Sequence, residues 1–349
     1  MKILIGDISS NKAMTVVKFL KSVYPKIEIY SFDSRKFTKY IRTKNADKHF
    51  IICQDDIEAY LDIIKKYNID YFFPVINDSI KLIIYQKEKF AHSLNYVSDY
   101  RTFKILNDKN QLMSLSSSLG IKIPKTYDNI GSAKPPCVVK PTNQSSAKGV
   151  RYIKTDRDFS KLLIQYNGKK NIIVQELVKG TGVGYSVYAK NGNILVGYGH
   201  KRLAEYPVTG GSSVYRDTFN DIRMKEISTK VLKAVNWTGF AMFEFKLTAD
   251  NELYLIEVNP RIWGSINQGL QNGINYFEPI LGKSRFHVDN NNKKTFFSPF
   301  IYIVILKYIF NGNFRPFITF IRNFKYNRAD VNFFNDPKGW LSLLLRKIL

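Results

Sequence analysis

The stretch Met242–Ser265, MFEFKLTADNELYLIEVNPRIWGS, decides how this chain is read. Two apolar runs flank a polar turn at Asp250 and Asn251, which predicts two antiparallel strands. The second run ends unusually for a buried strand, in Glu257, Asn259 and Arg261 around Pro260. Side chains two apart on a strand share a face, so Glu257 and Asn259 project together. A hairpin would bring Glu244 beside Glu257. Two carboxylates and an amide on one face are costly to bury unless a cation pairs with them. Magnesium takes oxygen ligands and binds through one or two carboxylates plus phosphates, which suits Glu244, Glu257 and Asn259. Arg261 then stands where a γ-phosphate or a substrate carboxylate would be. The competing reading is an exposed strand end with unrelated polar residues.

Upstream segments point the same way. Lys140 closes the apolar run CVV before Pro141, a place suited to phosphate contact. The loop TNQSSAKG, residues 142–149, offers the hydroxyls of Ser145 and Ser146, backbone N–H groups up to Gly149, and Lys148 to cradle phosphates. It is no Walker loop, and an ordinary exposed hairpin turn competes with this reading. VQELV ends in Glu176, Leu177 and Val178, and an apolar strand edge with free backbone groups suits an adenine. A plain core strand is the alternative.

The chain has 349 residues, enough for two or three domains. With 44% hydrophobic and 14% aromatic residues it is not mainly disordered. Lys plus Arg number 53 against 29 Asp plus Glu, a net +24 that favours anionic partners or reflects compositional bias. Cys53 and Cys137 are isolated and form no zinc motif. The four histidines make no catalytic pairing. Met1–Ile5 is too short for a signal peptide, so a cytoplasmic setting is expected.

The first hundred or so residues alternate strand and helix: KILIGD, NKAMTVVKFLKSVY, KIEIYSFD, IEAYLDIIKKYNI, DYFFPVI. This order predicts a small parallel sheet. The turn GDISSNKA lacks G-x-G-x-x-G, so no dinucleotide site is expected there and Asp33 reads as a loop-end carboxylate. A helix is predicted from Asp108 to Leu119, stopped by Gly120. Asn191-Gly192 is the strongest hairpin signal. Another helix is predicted from Asp221 to Val235.

Together these pieces resemble an ATP-grasp enzyme of the carbamoyl-phosphate-synthase-like branch, over roughly residues 1–285. The most specific segments are Met242–Ser265 and HKRLAEYPVTGGSSVYRDT, His200–Thr218. NDKNQLMSLSSSLGIKIPKT and VVKPTNQSSAKGV add weaker support. The resemblance implies a mixed α/β and α+β chain. A small parallel α/β domain (1–100) would precede two subdomains (101–180 and 181–285) that grip ATP, and a basic aromatic tail (286–349) would follow. It implies that Lys109 and Lys140 contact ATP phosphates under a lid at Thr142–Gly149. Glu176 and Val178 would hold adenine. Glu244, Glu257 and Asn259 would bind Mg2+, with Mn2+ as an alternative, and Arg261 would stabilise the transferred phosphate. Lys201, Arg202 and Arg216 would line the site of an acceptor carboxylate. The activity implied is ATP-dependent joining of a carboxylate to an amine through an acyl phosphate, releasing ADP and phosphate. Two departures stand out. The phosphate loop holds only Gly149, and GVGYSVY lacks the acidic ribose ligand.

The competing class is an ATP-binding, membrane-associated protein without turnover. Nucleic-acid binding is not expected, since no RNA or DNA motif occurs. The tail has two readings: a helical cap on the core, or a surface on an anionic membrane that leaves the enzyme peripheral to it. Its apolar run at 296–310 falls short of the ~20 residues a spanning helix needs. The expected partners are small-molecule acids and amines, and a homodimer is the commonest assembly.

Overall fold

The computed structural model describes all residues except 76, 143–148, 161–170, 209–210, 285–291 and 349. Three sheets organise the described residues. The first holds β1 (Lys2–Ile5), β2 (Glu28–Asp33), β3 (Lys48–Ile51) and β4 (Tyr71–Phe73) in the order β3-β2-β1-β4. All its pairs are parallel, as the strand–helix alternation predicts. Ile3, Leu4 and Ile5 are fully buried. Around the sheet run α1 (Asn11–Val23), α2 (Ile57–Tyr67) and α3 (Asn77–Tyr85). Ser10 begins α1 by accepting the Ala13 N–H. The edge strand β3 carries no fully buried residue, so no apolar run marks it in the sequence.

Two helices follow, α4 (Tyr100–Asn107) and α5 (Lys109–Ser118). Asp108 caps α5 by accepting the N–H groups of Asn110 and Gln111. The cap fixes where that helix starts and makes Lys109 its first residue. The second sheet holds β5 (Thr126–Tyr127), β6 (Cys137–Pro141), β7 (Arg151–Ile153) and β8 (Ile172–Glu176) in the order β5-β8-β6-β7, all antiparallel.

The third sheet begins with β9 (Thr181–Lys190), β10 (Asn193–Tyr206) and β11 (Ser212–Thr218). After α6 (Ile222–Ala234) come β12 (Gly239–Leu247) and β13 (Leu253–Asn259). Asn191 and Gly192 turn from β9 to β10 with φ of 49° and 75°, the left-handed pair a two-residue hairpin requires. Asn251, at φ 61°, lies in the turn from β12 to β13.

The register of β12 on β13 positions the site. Glu244 lies directly opposite Glu257, and Met242 opposite Asn259. Between these pairs and Phe245–Leu255 the register shifts by one residue, at Ile256. Leu253 and Leu255 are core residues, and strict alternation would have sent Glu257 into the core with them. The bulge reverses the phase. Val258 becomes the next core residue, and Glu257 stays partly exposed.

Beyond α7 (Asn267–Gln271) and α8 (Glu278–Leu281), the tail is not a separate unit. Its strands β14 (Lys294–Phe296) and β15 (Asn327–Ala329) extend the third sheet, whose order is β13-β12-β9-β10-β11-β14-β15. Helices α9 (Phe300–Phe310), α10 (Arg315–Arg322) and α11 (Pro337–Ile348) complete it. Ile301, Val304 and Ile305 of α9 pack with Ala204, Val214 and Tyr215 of β10 and β11. On its inner face, then, the tail is the cap.

Candidate active site

Glu244 and Glu257 face each other across two strands, each side chain 19% exposed. Basic groups from three other elements compensate them. From α5, Lys109 Nζ reaches Glu257 Oε2 at 3.3 Å. From β10, Arg202 Nη2 donates to Glu244 Oε2. From β6, Lys140 donates to Gln175 Oε1 at 3.0 Å and lies within electrostatic reach of Glu257, Lys109 and Glu244. Asn259 Nδ2 donates to both remaining carboxylate oxygens, at 3.3 Å to Glu244 Oε1 and 3.1 Å to Glu257 Oε1. Its Oδ1 accepts from Arg261 Nη2 at 2.6 Å, and Arg261 also donates to the Ile262 carbonyl.

The electrostatics separate the two acids. Burial raises Glu257, but Lys109, the Asn259 amide and Lys140 outweigh it, so its carboxyl lies below the usual range. For Glu244 burial prevails over Arg202, and Glu257 adds to it, so its carboxyl lies above that range. Burial brings the Lys140 ammonium down to about 8, with Glu257 opposing.

The donor set fits a hard divalent cation. Two carboxylate oxygens converge on one point, held now by the Asn259 amide nitrogen. One or two carboxylates are the ligands magnesium takes alongside phosphates, while the Asn259 oxygen is turned to Arg261 here.

A trough lets Arg202 reach this cluster. Gly182 and Gly184 of β9 lie between β10 and β12. A Cβ on Gly182 would come 2.8 Å from Arg202 Cδ, and one on Gly184 2.6 Å from His200 Cε1. The sequence reading noted the lack of an acidic residue in this stretch; the glycines keep it open for Arg202 and His200. Burial, then Arg202 and Arg216, press the His200 imidazole down to about 3, so it is neutral. Gly184→Ala is expected to displace the ring and cost about 1–3 kcal/mol by overpacking. Urea unfolding reads the cost, and an unchanged midpoint would show that the trough tolerates a side chain.

The structure therefore brings together Lys109, Lys140, Arg202, Glu244, Glu257, Asn259 and Arg261. Arg202 also holds Glu205, at 3.3 Å, and the Gly211 carbonyl, at 2.9 Å. The two other expected acceptor residues are paired elsewhere. Arg216, opposite Arg202 in the register of β10 on β11, is fully buried, pairs with Asp330 at 2.6 Å and donates to the Gly264 carbonyl at 3.4 Å, and its Nε has no hydrogen-bond partner. Asp330 lies in the tail, which the resemblance did not cover. Lys201 follows the alternation to the other face of β10 and lies 3.6 Å from Asp217.

The adenine edge is also narrower than expected. The Glu176 N–H donates to the Lys125 carbonyl and the Leu177 N–H to the Pro136 carbonyl. The Glu176 carboxylate accepts the Lys125 N–H at 2.9 Å. Val178 is partly buried at the start of the crossing to β9. Ser145, Ser146 and Lys148 lie outside the described residues. The loop bases are placed: the Lys109 N–H donates to the Thr142 carbonyl at 2.9 Å, and Gly149 has φ +71°.

Sequence reading missed a neighbouring group at the carboxyl ends of β1 and β2. Asp7 and Asp33 are buried there. Asp33 accepts from Ser9 and Arg35, and Arg346 of α11 lies 3.9 Å away. Burial and then Asp33 push the Asp7 carboxyl up to about 6. Lys12, in the first turn of α1, lies within electrostatic reach of Asp7 and Arg261. The signal available was position: polar residues at the carboxyl ends of parallel strands are where ligands bind in such sheets.

Residues 106–265 match the ATP-grasp domain family. The D-alanine–D-alanine ligase of Aquifex aeolicus is 26% identical over 167 residues, 44% of this chain and 57% of that one. The formate-dependent phosphoribosylglycinamide formyltransferase of Bacteroides thetaiotaomicron is 25% identical over 246 residues, 62% of this chain and 60% of that one. Thus the chain spans under two thirds of either relative's length. The crystal structure of N5-carboxyaminoimidazole ribonucleotide synthetase in its ADP complex superposes with a TM-score of 0.66 at 13% identity, covering 84% of this chain and 79% of that one.

Proposed function

We propose that this chain, whose residues 106–265 match the ATP-grasp domain family, is an ATP-dependent carboxylate–amine ligase. The observation that carries the reading is the Glu244–Glu257–Asn259 cluster, ringed by Lys109, Lys140, Arg202 and Arg261. Phosphoryl transfer needs positioning and charge neutralisation more than a protein nucleophile. A carboxylate oxygen of the acid bonds to the γ-phosphorus as the β–γ bridging bond breaks and ADP departs. The amine nitrogen then bonds to the acyl carbon, the carbon–oxygen bond to phosphate breaks, and a proton leaves the nitrogen.

The roles proposed start from those the resemblance implies. Glu244, Glu257 and the Asn259 amide oxygen would hold Mg2+, or Mn2+. The ion would neutralise phosphate charge. Lys109 and Lys140 would hold ATP phosphates and Arg261 the transferred one. Ser145, Ser146, Lys148 and Gly149 would cover them. Glu176, Leu177 and Val178 would border the adenine. Arg202, resting on Glu244 and Glu205, would take the acceptor carboxylate. Asp7 and Asp33 suit the ammonium of the amine. The setting proposed is the cytoplasm, with the tail toward a membrane surface.

The test is incubation with magnesium, ATP and pooled acids and amines. The expected result is ADP and phosphate that require both acid and amine pools. Magnesium-dependent ATP binding without turnover in any pool would favour a binding protein instead.

Lys140 gives the reading a pH signature. Its ammonium titrates near 8, so the cation is present below that pH and lost above it. ATP affinity is expected to fall as pH rises through about 8. Lys140→Arg, charged throughout, is expected to flatten the profile. Calorimetric titration across that range measures both, and identical profiles would remove Lys140 from the phosphate site.

A further inference from the structure

Helix α9 is apolar on both faces. Ile301, Val304, Ile305 and Tyr308 turn inward, while Tyr302, Ile303, Leu306 and Phe310 turn out, Phe310 being 86% exposed. The adjacent α10 buries Pro316 and Phe320 and exposes Phe317, Ile318 and Ile321. Phe314, between the two helices, and Phe324, beyond them, are exposed as well. A surface helix ordinarily puts polar residues there. An exposed apolar patch rimmed by polar residues marks an interaction site.

The charge pattern names the occupant. Residues 300–329 contain Lys307, Arg315, Arg322, Lys325 and Arg328, and no Asp or Glu. A second copy of this chain would bring the same five cations to the same patch, and the two would repel. An anionic lipid surface complements both features: acyl chains for the apolar side chains, phosphate headgroups for the cations. The 11 residues of α9 extend about 16 Å, about half the ~30 Å of a hydrocarbon core. Among the described residues, no helix is long and apolar enough to cross a membrane.

We propose that the outward face of α9 and α10 docks this chain on an anionic lipid bilayer. The helices lie in the interface, side chains down, and the third sheet stands above them. The docked face is linked to the site: the Tyr308 hydroxyl of α9 accepts the Glu205 N–H at 3.2 Å, and Glu205 holds Arg202. Docking does not depend on the ligase reading, because it needs neither ATP nor an acid.

The test is co-sedimentation of the full chain, without nucleotide, with phosphatidylcholine vesicles that contain or lack phosphatidylglycerol. Two variants accompany it: Phe310→Ser with Ile321→Ser, and Arg315→Gln with Arg322→Gln and Lys325→Gln. Binding to the anionic vesicles, weakened by salt and in both variants, is expected. Loss of roughly fivefold for each cation removed follows from the usual attraction of a basic residue to such a surface. Absence of binding, equal binding to neutral vesicles, or binding unchanged in both variants would overturn the proposal. So would a dimer by light scattering that the apolar variant dissolves, if vesicles are not bound. Circular dichroism of both variants confirms folding, since every substituted position is exposed.

Discussion

Glu257→Gln is expected to lower ADP release by about a hundredfold to a thousandfold, the range for loss of one preorganised electrostatic group in an active site. The substitution is nearly isosteric, so the β13 bulge and the contact with Asn259 survive. What disappears is the negative charge that Lys109, Lys140 and any bound cation share. Glu257 is the acid held below the usual carboxylate range, so it is ionised at neutral pH. Glu244→Gln removes a carboxyl that burial holds above that range, and is expected to cost less. Steady-state ADP release, with magnesium affinity measured in parallel, separates the two. Equal and small losses in both variants would mean that the pair serves only to balance Arg202 and Lys109.

The second large effect is on stability. Asp330→Ala is expected to cost about 3–5 kcal/mol, the range for a buried ion pair stripped of one partner. Arg216 and Asp330 are both 0% exposed. Asp330 also accepts from Asn11 of α1 at 2.7 Å and Asn267 of α7 at 3.0 Å. One carboxylate thus ties the first sheet, the third sheet and the tail, and its loss leaves the Arg216 guanidinium buried without an anion. Arg216→Met combined with Asp330→Leu is expected to recover much of the loss, because no charge is then stranded. Urea unfolding of the three proteins measures this. An Asp330→Ala protein within about 1 kcal/mol of the parent, where an exposed pair would fall, would contradict it.

Glu257, Asn259 and Arg261 were legible because strand periodicity is local and sets which side chains share a face. The Ile256 bulge that turns them from the core was not, since it is set by pairing with β12. Lys109 was found by resemblance, and the Asp108 cap explains why it begins a helix. The resemblance alone puts Arg216 in the acceptor site, and nothing near it in sequence reveals its partner Asp330, 114 residues on. Asp33 reads from the sequence as a loop-end carboxylate for want of a glycine motif, and Asp7 carries no local signal, although the ends of parallel strands are where ligands bind in such sheets. The edge strand β3 escaped because an edge needs no apolar run.

Acyl phosphate formation is the central claim, and oxygen-18 tests it most directly. The protein is incubated with magnesium, ATP, an amine pool and acids enriched with oxygen-18 in the carboxylate, and the released phosphate is weighed by mass spectrometry. Attack by the carboxylate on the γ-phosphorus, followed by amine displacement, predicts one labelled oxygen per phosphate and unlabelled ADP. Label in AMP, or turnover that leaves the phosphate unlabelled, would contradict it.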